Sequence, residues 1–233
     1  MNKEEFINAL KELNIDINDK ILNDLNTYYK MLIDYNSHTN LTRITEEDEV
    51  YLKHFYDSLT LIKAVHLKNQ LLLDIGTGAG FPGLVLKIVF PNLKVTLVDS
   101  LNKRVVFLNS VIEKLNLKNI KAVHERAEDY IKDNRESFDI VTSRAVANLS
   151  TLSELCIPFV KVGGLFIPMK AEAETEINNA TSAINTLGCV IRETILFKLP
   201  KDAGNRSLIT IEKNNKTSVK YPRKFSEIKK KPL

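Results

Sequence analysis

The stretch DIGTGAGFPG, Asp74 to Gly83, follows the apolar run LLL (71–73) and precedes the amphipathic segment at 83–90, so it reads as the turn between a strand and a helix. Glycine at 76, 78 and 80 lets the backbone turn tightly and lets a ligand approach without side-chain obstruction. The dinucleotide fingerprint G-x-G-x-x-G would need glycine at position 81, where Phe81 stands. No Gly-Lys-Ser/Thr follows either, which excludes the Walker A loop. The spacing is therefore G-x-G-x-G, neither the dinucleotide fingerprint nor the Walker A pattern.

Outward from the loop, strand patterns at 94–99, 120–123, 138–143, 165–169, 189–197 and 207–213 alternate with helical patterns at 101–116, 149–160 and 171–186. Continuous apolar strands alternating with helices predict an α/β, Rossmann-like sheet, mostly parallel and covered on both faces. The last two strands have only a loop with Pro200 and Gly204 between them, which predicts an antiparallel strand at one edge. The first 65 residues lack glycine and proline. Ile21, Leu25, Tyr28 and Leu32 form a helical stripe there, and a second helix is expected to start near Thr45. Tyr28, Tyr29 and Tyr35 are expected to pack between these helices. The organisation expected is a helical region over 1–65 packed on the core, a cofactor-binding domain over 66–213 and a basic tail over 214–233.

Ligands of such sheets bind beyond the carboxyl ends of the strands. Asp99 ends the second strand, 19 residues after Gly80, where an acid can accept hydrogen bonds from both ribose hydroxyls, or instead cap the helix that follows. The pattern acid-x-G-x-G-x-G beginning at Asp74 resembles motif I of class I methyltransferases, whose loop holds the amino-acid part of S-adenosylmethionine. By that resemblance Asp74, Gly76, Gly78 and Gly80 belong to the cofactor site, and Ala127 and Glu128 in the turn after the third strand meet the adenine. At the end of the fourth strand stand Ser143-Arg144-Ala145, with neither an Asn/Asp-Pro-Pro-Tyr/Phe motif nor a cysteine nucleophile. Cys156 comes a helix later. Such a site suits an acceptor that already offers a lone pair.

DIGTGAGFPG (74–83), LVDSLNKRVVFL (97–108), SRA (143–145), NLT (40–42), HFYDSL (54–59) and YPRK (221–224) together resemble the bacterial 16S ribosomal RNA guanine-N7 methyltransferase family, whose older name is glucose-inhibited division protein B. The resemblance implies S-adenosyl-L-methionine as cofactor, with contacts from Gly76, Phe81, Ala127, Glu128 and Arg144 and with Asp99 on the ribose. It implies a guanosine of 16S ribosomal RNA in the small (30S) subunit as acceptor. The purine nitrogen needs no general base, so Arg144 is expected to orient rather than to take a proton. The alternative for Arg144 is a salt bridge to Asp74 or Glu128. Asn40, His54, Asp57 and Lys170 are candidates for RNA contact, with Arg223 and Lys224 in the tail; His54 and Asp57, three apart, share a helix face. Residues 225–228, Phe-Ser-Glu-Ile, depart from the family pattern, which has a glycine-rich step before the closing Lys-x-Pro-Leu.

Composition narrows the remaining classes. The chain of 233 residues is 44% hydrophobic and 27% charged, an ordinary globular balance. No apolar run is long enough to span a membrane, and no secretory leader pattern opens the sequence. Two cysteines, Cys156 and Cys189, make neither a disulfide framework nor a metal site. A cytoplasmic monomer without metal is expected. Net charge is +4, but eight of the 33 basic residues and one of the 29 acids fall from Lys213 onward. That end is either an arm that meets a polyanion or a solvated terminus. The competing functions are an NAD-dependent oxidoreductase and a non-catalytic RNA-binding or assembly protein on the same sheet.

Overall fold

The computed structural model describes residues 1–233. Seven strands form one sheet in the order β3-β2-β1-β4-β5-β7-β6. β1 (Leu71–Ile75) lies at its centre, flanked in parallel by β2 (Lys94–Asp99) and β4 (Phe138–Arg144). β3 (Ile120–His124) and β5 (Val160–Lys170) extend the parallel part. β7 (Asn205–Lys213) runs antiparallel to β5 and to β6 (Cys189–Lys198), so the returning strand slots inside and β6 forms the edge. The expected mostly parallel α/β sheet is present, with its antiparallel strand one place in from the rim.

Side chains on a strand alternate between faces, and the alternation separates two cores. Leu72, Val95, Leu97 and Ile140 join a cluster with Leu84 and Val85 of α5 (Gly83–Val89) and with Phe107 and Val111 of α6 (Asn102–Lys114). Leu73, Val98, Val141 and Phe166 join the other, with α7 (Ala127–Asn134), α8 (Leu149–Cys156) and α9 (Glu174–Thr186).

The first core is the larger because the N-terminal helices share it. α1 (Lys3–Glu12) starts with an Asn2 capping box and buries Phe6 and Leu10. α2 (Asp19–Thr39) starts at Asn18, buries Leu25, Tyr28 and Leu32, and stops at Asn40, whose left-handed φ of 51° ends the helix. α3 (Glu47–Val50) continues through a π-wound turn (Tyr51–Tyr56) into α4 (Asp57–Leu59) and a 3-10 turn (Thr60–Lys63). Such π turns re-aim side chains within a helix and gather at functional sites. Here the re-aimed residues include His54.

The basic end is anchored to the fold, although Lys216, Lys220, Lys224, Lys229, Lys230 and Lys231 stay exposed. Lys213 is fully buried and paired with Glu136 at 3.1 Å. Thr217 donates to the Leu187 carbonyl at 2.7 Å, and Tyr221 and Ile228 enter the second core. A short helix, α10 (Phe225–Lys230), closes the chain. The apolar residues between the lysines anchor this segment, and they are what a count of charge overlooks. No helix is long and apolar enough to cross a membrane.

Candidate active site

The glycine loop is built by a buried carboxylate. Asp74 ends the central strand with no exposed surface; its Oδ2 accepts from Thr77 Oγ1 at 2.7 Å and from the Gly83 backbone at 2.8 Å. Oδ1 has no partner, and burial pushes the carboxyl up to about 6. Asp74 therefore holds the loop closed across its base. The cradle needs glycine at two positions for different reasons. Gly80 has φ of 107°, and a Cβ there would lie 2.7 Å from the Tyr28 hydroxyl and 2.8 Å from Leu84 Cβ. Gly78 has φ of 62° with open space where a Cβ would point, which leaves the loop's outer side free for a ligand.

Tyr28 comes from α2 to brace this loop. Its hydroxyl donates to the Ala79 carbonyl, and its ring packs on Phe55, Phe81 and Phe107. Burial raises its phenol well above the ordinary value, so it is a fixed donor. Tyr35 packs on Phe107, and Tyr29 meets Tyr51 at the margin of the same layer.

Three cavities follow one another along the carboxyl edge of the sheet. The middle one, about 350 Å³, is lined by Gly76, Gly78, Phe81, Asp99, Thr42 and Arg144, among others. Beside β3 lies one of about 190 Å³, bounded by Val98, Glu125, Ala127, Glu128 and Leu155. It shares Gly76, Asp99, Ser100 and Val146 with the middle cavity. Beside β5 lies one of about 460 Å³, which shares His54, Arg144 and Ala145 with the middle cavity. That third cavity opens in turn, through Ala171, Glu172, Glu176 and Arg206, onto a hollow of about 660 Å³.

Asp99 lies at the junction of the first two cavities and already serves the protein. Its Oδ2 accepts from the Gly78 backbone at 2.9 Å, its Oδ1 from the Leu101 backbone at 2.9 Å, and Arg104 Nη1 reaches Oδ2 at 3.1 Å. Asp99 does not cap α6, whose N-cap is Leu101 with no side-chain cap; it ties the turn before that helix to the glycine loop while lining both cavities. Arg104, with a third of its side chain exposed, is the partner most easily displaced by a ligand hydroxyl.

At the other junction Arg144 ends β4. The alternative pairing to Asp74 or Glu128 is overturned: Nη1 donates to Asp57 Oδ2 at 2.8 Å. Asp57, 2% exposed, also accepts from Arg206 Nε at 2.8 Å, so one carboxylate fixes two guanidinium groups. Arg144 Nη1 further meets the Lys53 carbonyl and Nη2 meets His54 Nδ1, each at 3.3 Å. Its guanidinium lies 5.1 Å from the centre of the Phe81 ring. The His54 ring stacks on Phe81 at 4.3 Å, with Nε2 2.9 Å from Thr42 Oγ1. Burial and the neighbouring Arg144 charge drive the imidazole down to about 3, so it is neutral.

Of the sequence candidates, Gly76, Gly78, Phe81, Asp99 and Arg144 meet in the middle cavity, Ala127 and Glu128 in the first, and His54 and Asp57 beside Arg144 in the third. Asn40 lies just outside, ending α2 before Leu41 and Thr42 enter the middle cavity. Lys170 lines the third cavity but pairs with Glu176 at 2.7 Å and donates to the Ala147 carbonyl, bracing the Arg144–Ala147 loop. Arg223 lies elsewhere, held by Glu154 at 2.6 Å, so its fork is not free for phosphate; Lys224 beside it is exposed. Cys156 is buried, and burial pushes its thiol well up, which removes it as a nucleophile. Arg206 escaped the sequence reading; Tyr28 was expected only to pack between helices, and Thr42 appeared only as the last residue of NLT, without a role.

A family model described as rRNA small subunit methyltransferase G matches residues 21–205. The protein named ribosomal RNA small subunit methyltransferase G from Staphylococcus carnosus is 50% identical over 238 residues, covering 100% of this chain and 99% of that one. The protein of the same name from Staphylococcus saprophyticus is 53% identical over 222 residues, covering 94% and 93%. Among solved structures, a SAM-dependent methyltransferase from Aquifex aeolicus aligns with a TM-score of 0.55 at 18% identity, over 74% of this chain and 97% of that one. M. jannaschii TYW2 in complex with AdoMet aligns with a TM-score of 0.54 at 16% identity, over 67% and 76%. At such identities the structures speak for the fold alone.

Proposed function

The chain belongs to the rRNA small subunit methyltransferase G family, and from that membership we propose that it methylates ring nitrogen 7 of a guanosine in 16S RNA of the small ribosomal subunit, with S-adenosylmethionine as donor. The observation that carries this reading is the row of cavities on the carboxyl edge, one junction at Asp99 and the other at Arg144. In this reading residues 66–213 hold the cofactor, while 1–65 and 214–233 flank them.

The cradle fits the cofactor by its shape. Gly78 has open space where a Cβ would point, and the glycine loop leads to the Asp99 carboxylate, which lines both the middle cavity and the one bounded by Val98, Ala127 and Leu155. We assign the adenine to that pocket, the ribose to Asp99 in place of Arg104, and the amino-acid part to Gly76–Gly78 and Phe81. S-Adenosylmethionine supplies an electrophilic methyl group on its sulfonium.

The acceptor then belongs in the cavity beyond Arg144. Guanine nitrogen 7 carries a lone pair and no proton, so its reaction needs alignment and exclusion of water rather than a base. The neutral His54 agrees with that requirement, since an imidazole driven down to about 3 is a poor proton acceptor at neutral pH. Arg144 uses three of its five N–H groups on Asp57, Lys53 and His54. The two that remain can hold the guanine carbonyl oxygen beside the reacting nitrogen. Asp57, bound by two arginines, acts as their positioning residue.

Transfer of labelled methyl from S-adenosylmethionine to small subunits and to free 16S RNA, both lacking this modification, tests the reading. The expected product after nuclease digestion is labelled 7-methylguanosine. Label in another nucleoside would overturn the acceptor assignment. Binding of NAD with no binding of S-adenosylhomocysteine would replace the reading by the oxidoreductase.

A further inference from the structure

We propose that Phe225, carried by α10, forms the outer wall of the adenine pocket, so that the C-terminal segment takes part in cofactor binding. The inference rests on the reading of these cavities as a nucleoside site. Phe225 lines the 190 Å³ cavity together with Val98, Ala127 and Leu155. It does so with 36% of its surface open, whereas Tyr221 and Ile228 on either side of it are 6% and 0% exposed. The segment is thus nailed down before and after the one aromatic ring it leaves uncovered.

The nails are specific. Arg223 donates from its backbone and from Nε to Glu154 Oε1, at 2.9 and 2.8 Å, and from Nη2 to Oε2 at 2.6 Å. Glu154 has no exposed surface, and its neighbour Leu155 lines the same pocket. Arg135 donates to the Tyr221 carbonyl from the loop after α7. These contacts fix the ring's position on elements that also form the pocket's inner wall. An aromatic ring held at the side of a pocket that Val98, Ala127 and Leu155 also line offers a face on which a purine stacks without new ordering of the chain.

The chain has no tryptophan, so Phe225→Trp puts its sole indole at the pocket. Titrating that variant with S-adenosylhomocysteine and with adenosine should change the indole emission, saturating at the concentrations that calorimetry gives for binding. In Phe225→Ala the Kd for both ligands should rise about tenfold, within the range for loss of a base-stacking aromatic. Val219→Ala, an exposed position in the same segment (86%), serves as control and should leave both unchanged. Emission that stays flat while ligand binds, with Phe225→Ala at wild-type affinity, overturns the proposal and leaves the methyltransferase reading standing. Failure of the wild type to bind either ligand overturns that reading instead.

Discussion

The two ends of the chain reach the same edge of the sheet from opposite sides and by different physical means. The N-terminal layer arrives as a thick apolar slab: Phe6, Leu10, Leu25, Tyr28 and Phe55 all lie in the larger core. Through that slab it delivers Tyr28 to the glycine loop and His54 with Asp57 to Arg144. The C-terminal segment is thin and basic, and is held at a few points, Thr217, Tyr221, Arg223 and Ile228. It delivers one ring, Phe225, to the adenine end. The sheet supplies the floor common to both. What separates them is the extent of anchoring: a broad apolar layer at one end, and at the other two apolar side chains, Tyr221 and Ile228, with the Arg223–Glu154 ion pair. Substitutions of His54 or Asp57 at the first should therefore change chemistry or acceptor placement, whereas Tyr28, which braces the glycine loop, and the second should change stability and nucleoside affinity.

The sharpest break of this contrast is expected at Asp57. Asp57→Asn removes the charge that fixes Arg144 and Arg206. It should lower kcat/KM for methyl transfer roughly 100-fold through misplacement of the acceptor, with the Kd of S-adenosylhomocysteine changed by less than about threefold. A loss confined to cofactor affinity would move Asp57 out of the acceptor side, and recovery in Asp57→Glu would support its positioning role.

Glu154→Gln is next, and acts at the other end. It leaves Arg223 without its carboxylate against a residue with no exposed surface, and should destabilise the chain by about 2–3 kcal/mol in denaturant unfolding. The figure is below that of a fully shielded pair because a quarter of the Arg223 side chain is exposed. Nucleoside affinity should fall alongside, as in Phe225→Ala. An unchanged midpoint means the segment is held by Tyr221 and Ile228 alone.

Tyr28→Phe keeps the ring and deletes the hydroxyl that meets Ala79. A loss of about 1 kcal/mol is expected, together with weaker cofactor binding from a looser loop. Stability without any change in binding would mean that the loop is set by Asp74 alone.

The smallest effect concerns pH. His54 in the folded chain is held down to about 3 by burial, Arg144 and Lys53, whereas in the unfolded chain it titrates near 6.5. The unfolded state therefore binds the extra proton as pH falls through 6.5, and stability from this residue, full above that value, is lost on acidification. Relative to His54→Gln, the wild type should lose roughly 1 kcal/mol between pH 7.5 and 5.5. Asp74, pushed up to about 6, works in the opposite direction over an overlapping range, so the two are separated only by the paired variants. A constant gap between wild type and His54→Gln would place the imidazole in solvent-like surroundings.

Much of the sheet was legible because its signal is local. Apolar runs mark the strands, and glycine spacing marks the turn at Asp74–Gly83. Asp99 and Arg144 were found because they end strands, where this fold binds ligands. The roles within the site were less legible because they depend on partners distant in sequence. Asp57 meets Arg144 across 87 positions and Arg206 across 149. No spacing rule turns that into a shared carboxylate. Arg223 and Lys213 show the converse: counted as free charge in the tail, each is paired inside the fold. Their partners, Glu154 and Glu136, look like ordinary helix or loop acids until the chain closes over them.

The central claim is the methylation of one guanosine in small-subunit RNA, and it has a direct readout. In a strain lacking the gene and complemented with wild type, Asp57→Asn or empty vector, 16S RNA is treated with borohydride and aniline, which break the chain at 7-methylguanosine. The cleavage map is then read by primer extension. Wild type should restore one cleavage site that the empty vector lacks, and Asp57→Asn should leave it weak. A 16S map that is the same with wild type and with empty vector would contradict the assignment.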